Sequence, residues 1–118
     1  MTSLCISLEA RSAVHRCFRA YEIAVDKDLF GAWLVEMSYG RIGTTGRAKV
    51  RSFATTEEAL AQVDACLRKR ATAPHRIGVP YRVRRVIRCP EWRRSVHDEL
   101  LTLGFPGRAD TSKRGDLP

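Results

Sequence analysis

From Ala32 to Tyr39 the chain reads AWLVEMSY, so Trp33, Val35, Met37 and Tyr39 fall on one side of an extended backbone while Leu34, Glu36 and Ser38 fall on the other. That period of two is the signature of a half-buried strand, with Trp33 and Met37 toward the core. The preceding RCFRAYEIAV, Arg16 to Val25, is rich in β-branched and aromatic residues, and DKDLFG separates the two runs; together they predict a β-hairpin. After a glycine-rich loop, RAKVRSFA alternates again, with Val50 and Ser52 on one side and Lys49, Arg51 and Phe53 on the other, and predicts a third strand. The period then changes. In TTEEALAQVDACLRKRA, residues Ala59, Leu60, Val63, Cys66 and Leu67 recur at helical spacing, Thr55 and Glu58 form a capping box, and Arg68, Lys69 and Arg70 complement the C-terminal end of the dipole.

The apolar stripe of that helix needs a surface to cover, and the strands supply one. The expected fold is therefore α+β: a small antiparallel β-sheet of three to four strands packed by one main α-helix. Farther on, IGVPYRVRRVI suits a short edge strand interrupted at Pro80, and PEWRRSVHDELLTLG sets Trp92, Val96, Leu100 and Leu103 on one face of a second, C-terminal helix between Pro90 and Gly104. The expected division is an N-terminal extension over 1–14, the globular domain over 15–88, the C-terminal helix over 89–105 and a flexible tail over 106–118.

At 118 residues and 44% hydrophobic content the chain fits one domain, able to bury about two-thirds of its unfolded surface. Charge changes the picture more. Lys and Arg number 21 against 13 Asp and Glu, a formal net charge of +8, and between Arg68 and Arg94 the only carboxylate is Glu91. Such a field attracts polyanions, nucleic acid first among them. No stretch reaches the roughly 20 apolar residues of a membrane span and no signal peptide stands out, so the expected location is cytoplasmic, with no membrane partner. Cys5, Cys17, Cys66 and Cys89 lack metal-ligand or disulfide-framework spacing, and the expectation is reduced thiols with no metal and no cofactor. His97, Asp98 and Glu99 adjoin in sequence, but neighbours on a helix do not converge, and the expectation is that the chain is not an enzyme.

The remaining chemistry is concentrated in SYGRIGTTGRAKVRSF, Ser38 to Phe53. A Walker A loop would need a Lys followed by Ser or Thr after its last glycine, which is missing, and a dinucleotide-binding turn would need G-x-G-x-x-G leading into a helix, whereas Gly40, Gly43 and Gly46 are spaced by threes and lead into a strand. GTTG matches the GXXG of KH domains, but that loop joins two helices.

The stretch YGRIGTTGRAKVRSFATTEEALAQV resembles the core of a WGR domain, a family named for its Trp-Gly-Arg motif. The motif stands here as Tyr39-Gly40-Arg41, followed by Ile42-Gly43, Gly46-Arg47, Phe53 and Glu57-Glu58-Ala59, and the similarity runs from about Phe18 to Ala71. Tyr39 occupies the place of the signature Trp, and Arg70-Ala71 and PHRIGVPYRV replace the family's usual closing pattern. In poly(ADP-ribose) polymerases the similar domain binds DNA breaks, its Trp stacking near the 5′-terminal nucleotide; small bacterial proteins built of this domain also exist. The resemblance implies a non-enzymatic module that binds nucleic acid, DNA more than RNA, through Tyr39, Gly40, Arg41, Arg47, Lys49, Arg51 and Arg70. A ring at a strand end can stack on a terminal base, a face that continuous duplex does not offer, and the cations would meet phosphates. Tyr39 also fits as a core residue, since buried strand aromatics commonly pack. The alternative from another class is an adaptor that docks an acidic protein through a sheet edge or the Trp92 helix, as a monomer or weak homodimer.

Overall fold

The expected hairpin is present and forms the middle of a larger sheet. The computed structural model describes residues 2–88 and contains β1 (Thr2–Ser12), β2 (Cys17–Lys27), β3 (Trp33–Arg41), β4 (Arg47–Phe53), α1 (Thr56–Ala71), α2 (Ala73–Arg76) and β5 (Arg82–Arg88). The strands form one antiparallel sheet in the order β4-β3-β2-β1-β5. Five strands replace the expected three to four, and the α+β class holds. The expected C-terminal helix over 89–105 and the tail over 106–118 lie outside the described residues.

The extra strand comes from the stretch expected as an N-terminal extension. Residues Leu4, Ile6, Leu8 and Ala10 alternate with Cys5, Ser7 and Glu9, and each of the four is at most 1% exposed. The stripe joins one core with Ala59, Val63 and Leu67 of α1, and β1 lies between β2 and β5. A boundary at residue 14 therefore cuts through the sheet. At the far edge, β5 begins two residues after Pro80, where the missing N–H interrupts no ladder.

Helix α1 covers one face. Its N-cap is the expected box: Glu58 N donates to Thr55 Oγ1 at 3.2 Å, and Thr55 N donates to Glu58 Oε1 at 3.3 Å. Ala59, Val63 and Leu67 are fully buried against the strands, and the two larger side chains contribute about 2 kcal/mol each. Cys66 and Gln62 both reach Met37 Sδ, at 3.5 and 3.4 Å, and tie the helix to β3. Cys5, Cys17 and Cys66 are free thiols. Burial, with the carboxylate of Glu22 adding to it, pushes the Cys5 thiol up to about 11. No described helix is long and apolar enough to cross a membrane.

The β3–β4 loop depends on two glycines. Thr44 N and Oγ1 both donate to the Arg41 carbonyl, at 3.1 and 2.7 Å, closing the turn. The strands then converge so tightly that a Cβ on Gly40 would lie 2.7 Å from Gly46 Cα, and one on Gly46 would strike the carbonyl of Tyr39. Gly46 also has φ +67°, a left-handed value that a side chain resists. Gly46→Ala should lower unfolding free energy by about 2 kcal/mol, read as a shifted urea midpoint at constant m-value. An unchanged midpoint would contradict this packing.

Candidate nucleic-acid interface

At one end of the sheet the start of β2, the end of β3, the C-terminal turn of α1 and the segment leading to β5 enclose a cleft of about 680 Å³. Its lining includes Tyr39, Gly40 and Arg41 from β3, Cys17, Phe18 and Arg19 from β2, Lys69 and Arg70 from α1, and Arg76, Ile77 and Tyr81 beyond it. His15 and Arg16, from the β1–β2 turn, complete one rim. Tyr39 is half-buried: it packs against the core cluster and still lines the cleft. Arg16, Arg19, Arg41, Lys69, Arg70 and Arg76 make the lining strongly cationic.

Several contacts hold the cations in place. The Arg70 guanidinium lies 4.0 Å from the centre of the Tyr21 ring, and that of Arg41 lies 5.6 Å from the centre of Phe18. Tyr21 stays a neutral phenol, because burial, aided by Cys66, raises its pKa strongly against the opposing pull of Arg70. Arg76 donates from Nη2 to the Lys69 carbonyl and from Nε to Thr72 Oγ1, each at 3.0 Å, and so caps the end of α1. Arg19 stands directly opposite Arg41 across the β2–β3 pair. Among the described residues lining the cleft none is Asp or Glu, and no ion pair joins Arg16, Arg19, Arg41, Lys69, Arg70 or Arg76 to a carboxylate there. Such a concentration of like charge in a concave site lowers stability unless an anion is its counterpart.

Four of the expected site residues, Tyr39, Gly40, Arg41 and Arg70, therefore meet in one cleft. The other three do not. Arg47, Lys49 and Arg51 lie on the exposed edge strand β4, on the same sheet face, opposite Tyr39, Met37 and Val35 in turn. Each step along β4 moves farther from the cleft, and Arg51 stacks on Phe53 at 5.6 Å. Arg16 and Arg19 are functional candidates that the loop motif did not reveal. The signal for Arg19 is strand parity, since it shares a face with Tyr21, Ile23 and Val25, where a cation has no reason to be unless the face opens there. No group of His, Cys, Asp and Glu suited to a metal occurs among the described residues.

A family model, the WGR domain, matches residues 6–73, a span that runs from within β1 through α1. The chain belongs to the WGR family. Its family motif is Tyr39-Gly40-Arg41 at the end of β3, with tyrosine at the signature position; a tryptophan, Trp33, stands earlier on the same strand and face. The match begins inside β1, so the first strand is part of the WGR domain, while β5 lies beyond the matched region and closes the sheet. Searches of curated proteins and of solved structures gave no match. A WGR domain is consistent with a nucleic-acid-binding module.

Proposed function

We propose that this WGR protein binds nucleic acid by taking the terminal nucleotide of a DNA strand into the cationic cleft, and that it positions this end without performing chemistry on it. The observation that carries the reading is the cleft itself: Tyr39 lines it beside Arg19, Arg41, Lys69, Arg70 and Arg76, and among the described residues no ion pair joins these cations to a carboxylate. A volume of about 680 Å³ suits a nucleotide or two, whereas an intact duplex offers no unstacked base to enter it. Arg19, Arg41 and Arg70 would meet the phosphates nearest the end, and Arg47 on β4 would extend the track outward.

The first test is salt. If about four cations displace counterions, log affinity for linear duplex falls against log salt with a slope of about −3 to −4. Arg41→Ala should reduce that slope by about one, with losses similar across sequences. A flat salt response, or an unaltered slope in the variant, would count against phosphate binding at this site.

A further inference from the structure

The sheet has two edges, and they differ. β5 carries a register shift against β1 between Ser7 and Leu8 and begins two residues after Pro80, features that blunt an edge. β4 has neither: it pairs with β3 in unbroken register from Arg47 opposite Tyr39 to Phe53 opposite Trp33, contains no Gly or Pro, and is exposed from Arg47 to Ser52. No described strand lies on its outer side. Two hydrogen bonds establish which backbone groups point there. Asp28 N donates to the Ala32 carbonyl and Ile42 N to the Phe18 carbonyl, each at 2.9 Å, and the β2–β3 register between them is unbroken. The even-numbered residues of β3 are therefore bonded to β2 and the odd-numbered ones to β4. Tyr39, Met37 and Val35 exchange bonds with Arg47, Lys49 and Arg51, which leaves the N–H and C=O groups of Ala48, Val50 and Ser52 directed outward.

The side chains of this edge are sorted by face, with Arg47, Lys49 and Arg51 on the α1 side and Ala48, Val50 and Ser52 on the other. The Arg51 guanidinium lies 5.6 Å from the centre of the Phe53 ring, and among the described residues no ion pair joins any of the three cations to a carboxylate. A second copy does not suit this edge: the antiparallel register that uses all the outward groups of Ala48, Val50 and Ser52 sets Lys49 against Arg51 twice. A nucleic-acid backbone matches it poorly as well, because phosphates accept but do not donate, and the outward carbonyls would face further acceptors. Nor does the remainder of this chain carry an alternating acidic run, since Glu91, Asp98, Glu99, Asp110 and Asp116 are the carboxylate side chains after Arg88. An extended acidic segment of another protein satisfies both sets of groups. Its backbone alternates donors with acceptors, and carboxylates at every second residue fall opposite the three cations. In an antiparallel addition these are the non-hydrogen-bonded pairs, where side chains approach most closely.

We propose that the outer edge of β4 takes up an extended acidic segment of a partner protein as a further antiparallel strand, paired through Ala48, Val50 and Ser52 and selected by Arg47, Lys49 and Arg51. Nothing in this pairing uses the cleft. The probe is the fluorescein-labelled peptide Thr-Glu-Val-Glu-Val-Glu-Thr, titrated into the full chain beside a peptide of the same composition in the order Glu-Glu-Glu-Val-Val-Thr-Thr. The alternating peptide should bind about tenfold more tightly, and its binding should slow amide exchange at Ala48, Val50 and Ser52, read by NMR. Val50→Pro removes the central outward N–H without touching a bond to β3, a substitution that an edge strand tolerates, and should weaken the alternating peptide about tenfold, with circular dichroism confirming the fold. The amide measurement needs no variant and decides the matter alone if Val50→Pro does not fold. Equal affinity for the two peptides, no slowing at the three amides, slowing there by linear DNA in place of the peptide, or a folded Val50→Pro protein that binds as the parent does would each overturn the proposal.

Discussion

Arg19→Glu should raise the melting temperature and at the same time weaken binding to linear DNA by about a hundredfold. Arg19 and Arg41 are directly opposite each other on one sheet face, and like charges in that relation destabilise a sheet. A carboxylate at position 19 turns the repulsion into a cross-strand ion pair, a gain of about 1 kcal/mol, or several degrees in Tm for a domain of this size. The same change removes a cation from the cleft and points a negative charge at the phosphate it would have met, at a loss of about 3 kcal/mol. Opposite signs for stability and affinity are what a binding site assembled against the interest of the fold predicts. If stability and affinity fall together, Arg19 is structural; if affinity is untouched, the cleft is not where nucleic acid binds.

The parts of this fold that can be read in the sequence are those whose causes are local. The box of Thr55 and Glu58, the stripe of Ala59, Val63 and Leu67 and the terminal cations of α1 all lie within a few turns of one another and specify a helix without reference to the sheet. β1 has less local signal, although Leu4, Ile6, Leu8 and Ala10 alternate cleanly. Its turn into β2, closed by Arg16 N donating to the Ala13 carbonyl at 3.2 Å, contains no Gly, Pro, Asn or Asp to announce it. Arg16 itself adopts the positive φ, 51°, that glycine would normally take. Its second partner, β5, is far away along the chain, a pairing that no local pattern encodes.

The site divides in the same way. Tyr39, Gly40 and Arg41 are legible because the motif is contiguous on β3. Lys49 and Arg51 are close to the motif in sequence, but the antiparallel return of β4 carries them away from it, opposite Met37 and Val35. Arg70 reaches the cleft from the other direction, brought there by the length of α1 and held by the Tyr21 ring.

The central claim, that a strand end is recognised through Tyr39, is tested most directly by competition between linear and covalently closed circular DNA of the same sequence. Tyr39 both lines the cleft and packs against the core cluster. Stacking on a terminal base contributes about 1–3 kcal/mol. The parent protein should prefer linear DNA, and Tyr39→Ala should lose roughly ten- to a hundredfold in affinity for linear DNA while binding the closed circle as before. Tyr39→Trp, which restores the family's signature residue, should match or exceed the parent on linear DNA, with circular dichroism showing that both variants fold. A folded Tyr39→Ala protein that still prefers linear DNA as strongly as the parent, or a parent that does not distinguish the two DNAs, would contradict the account.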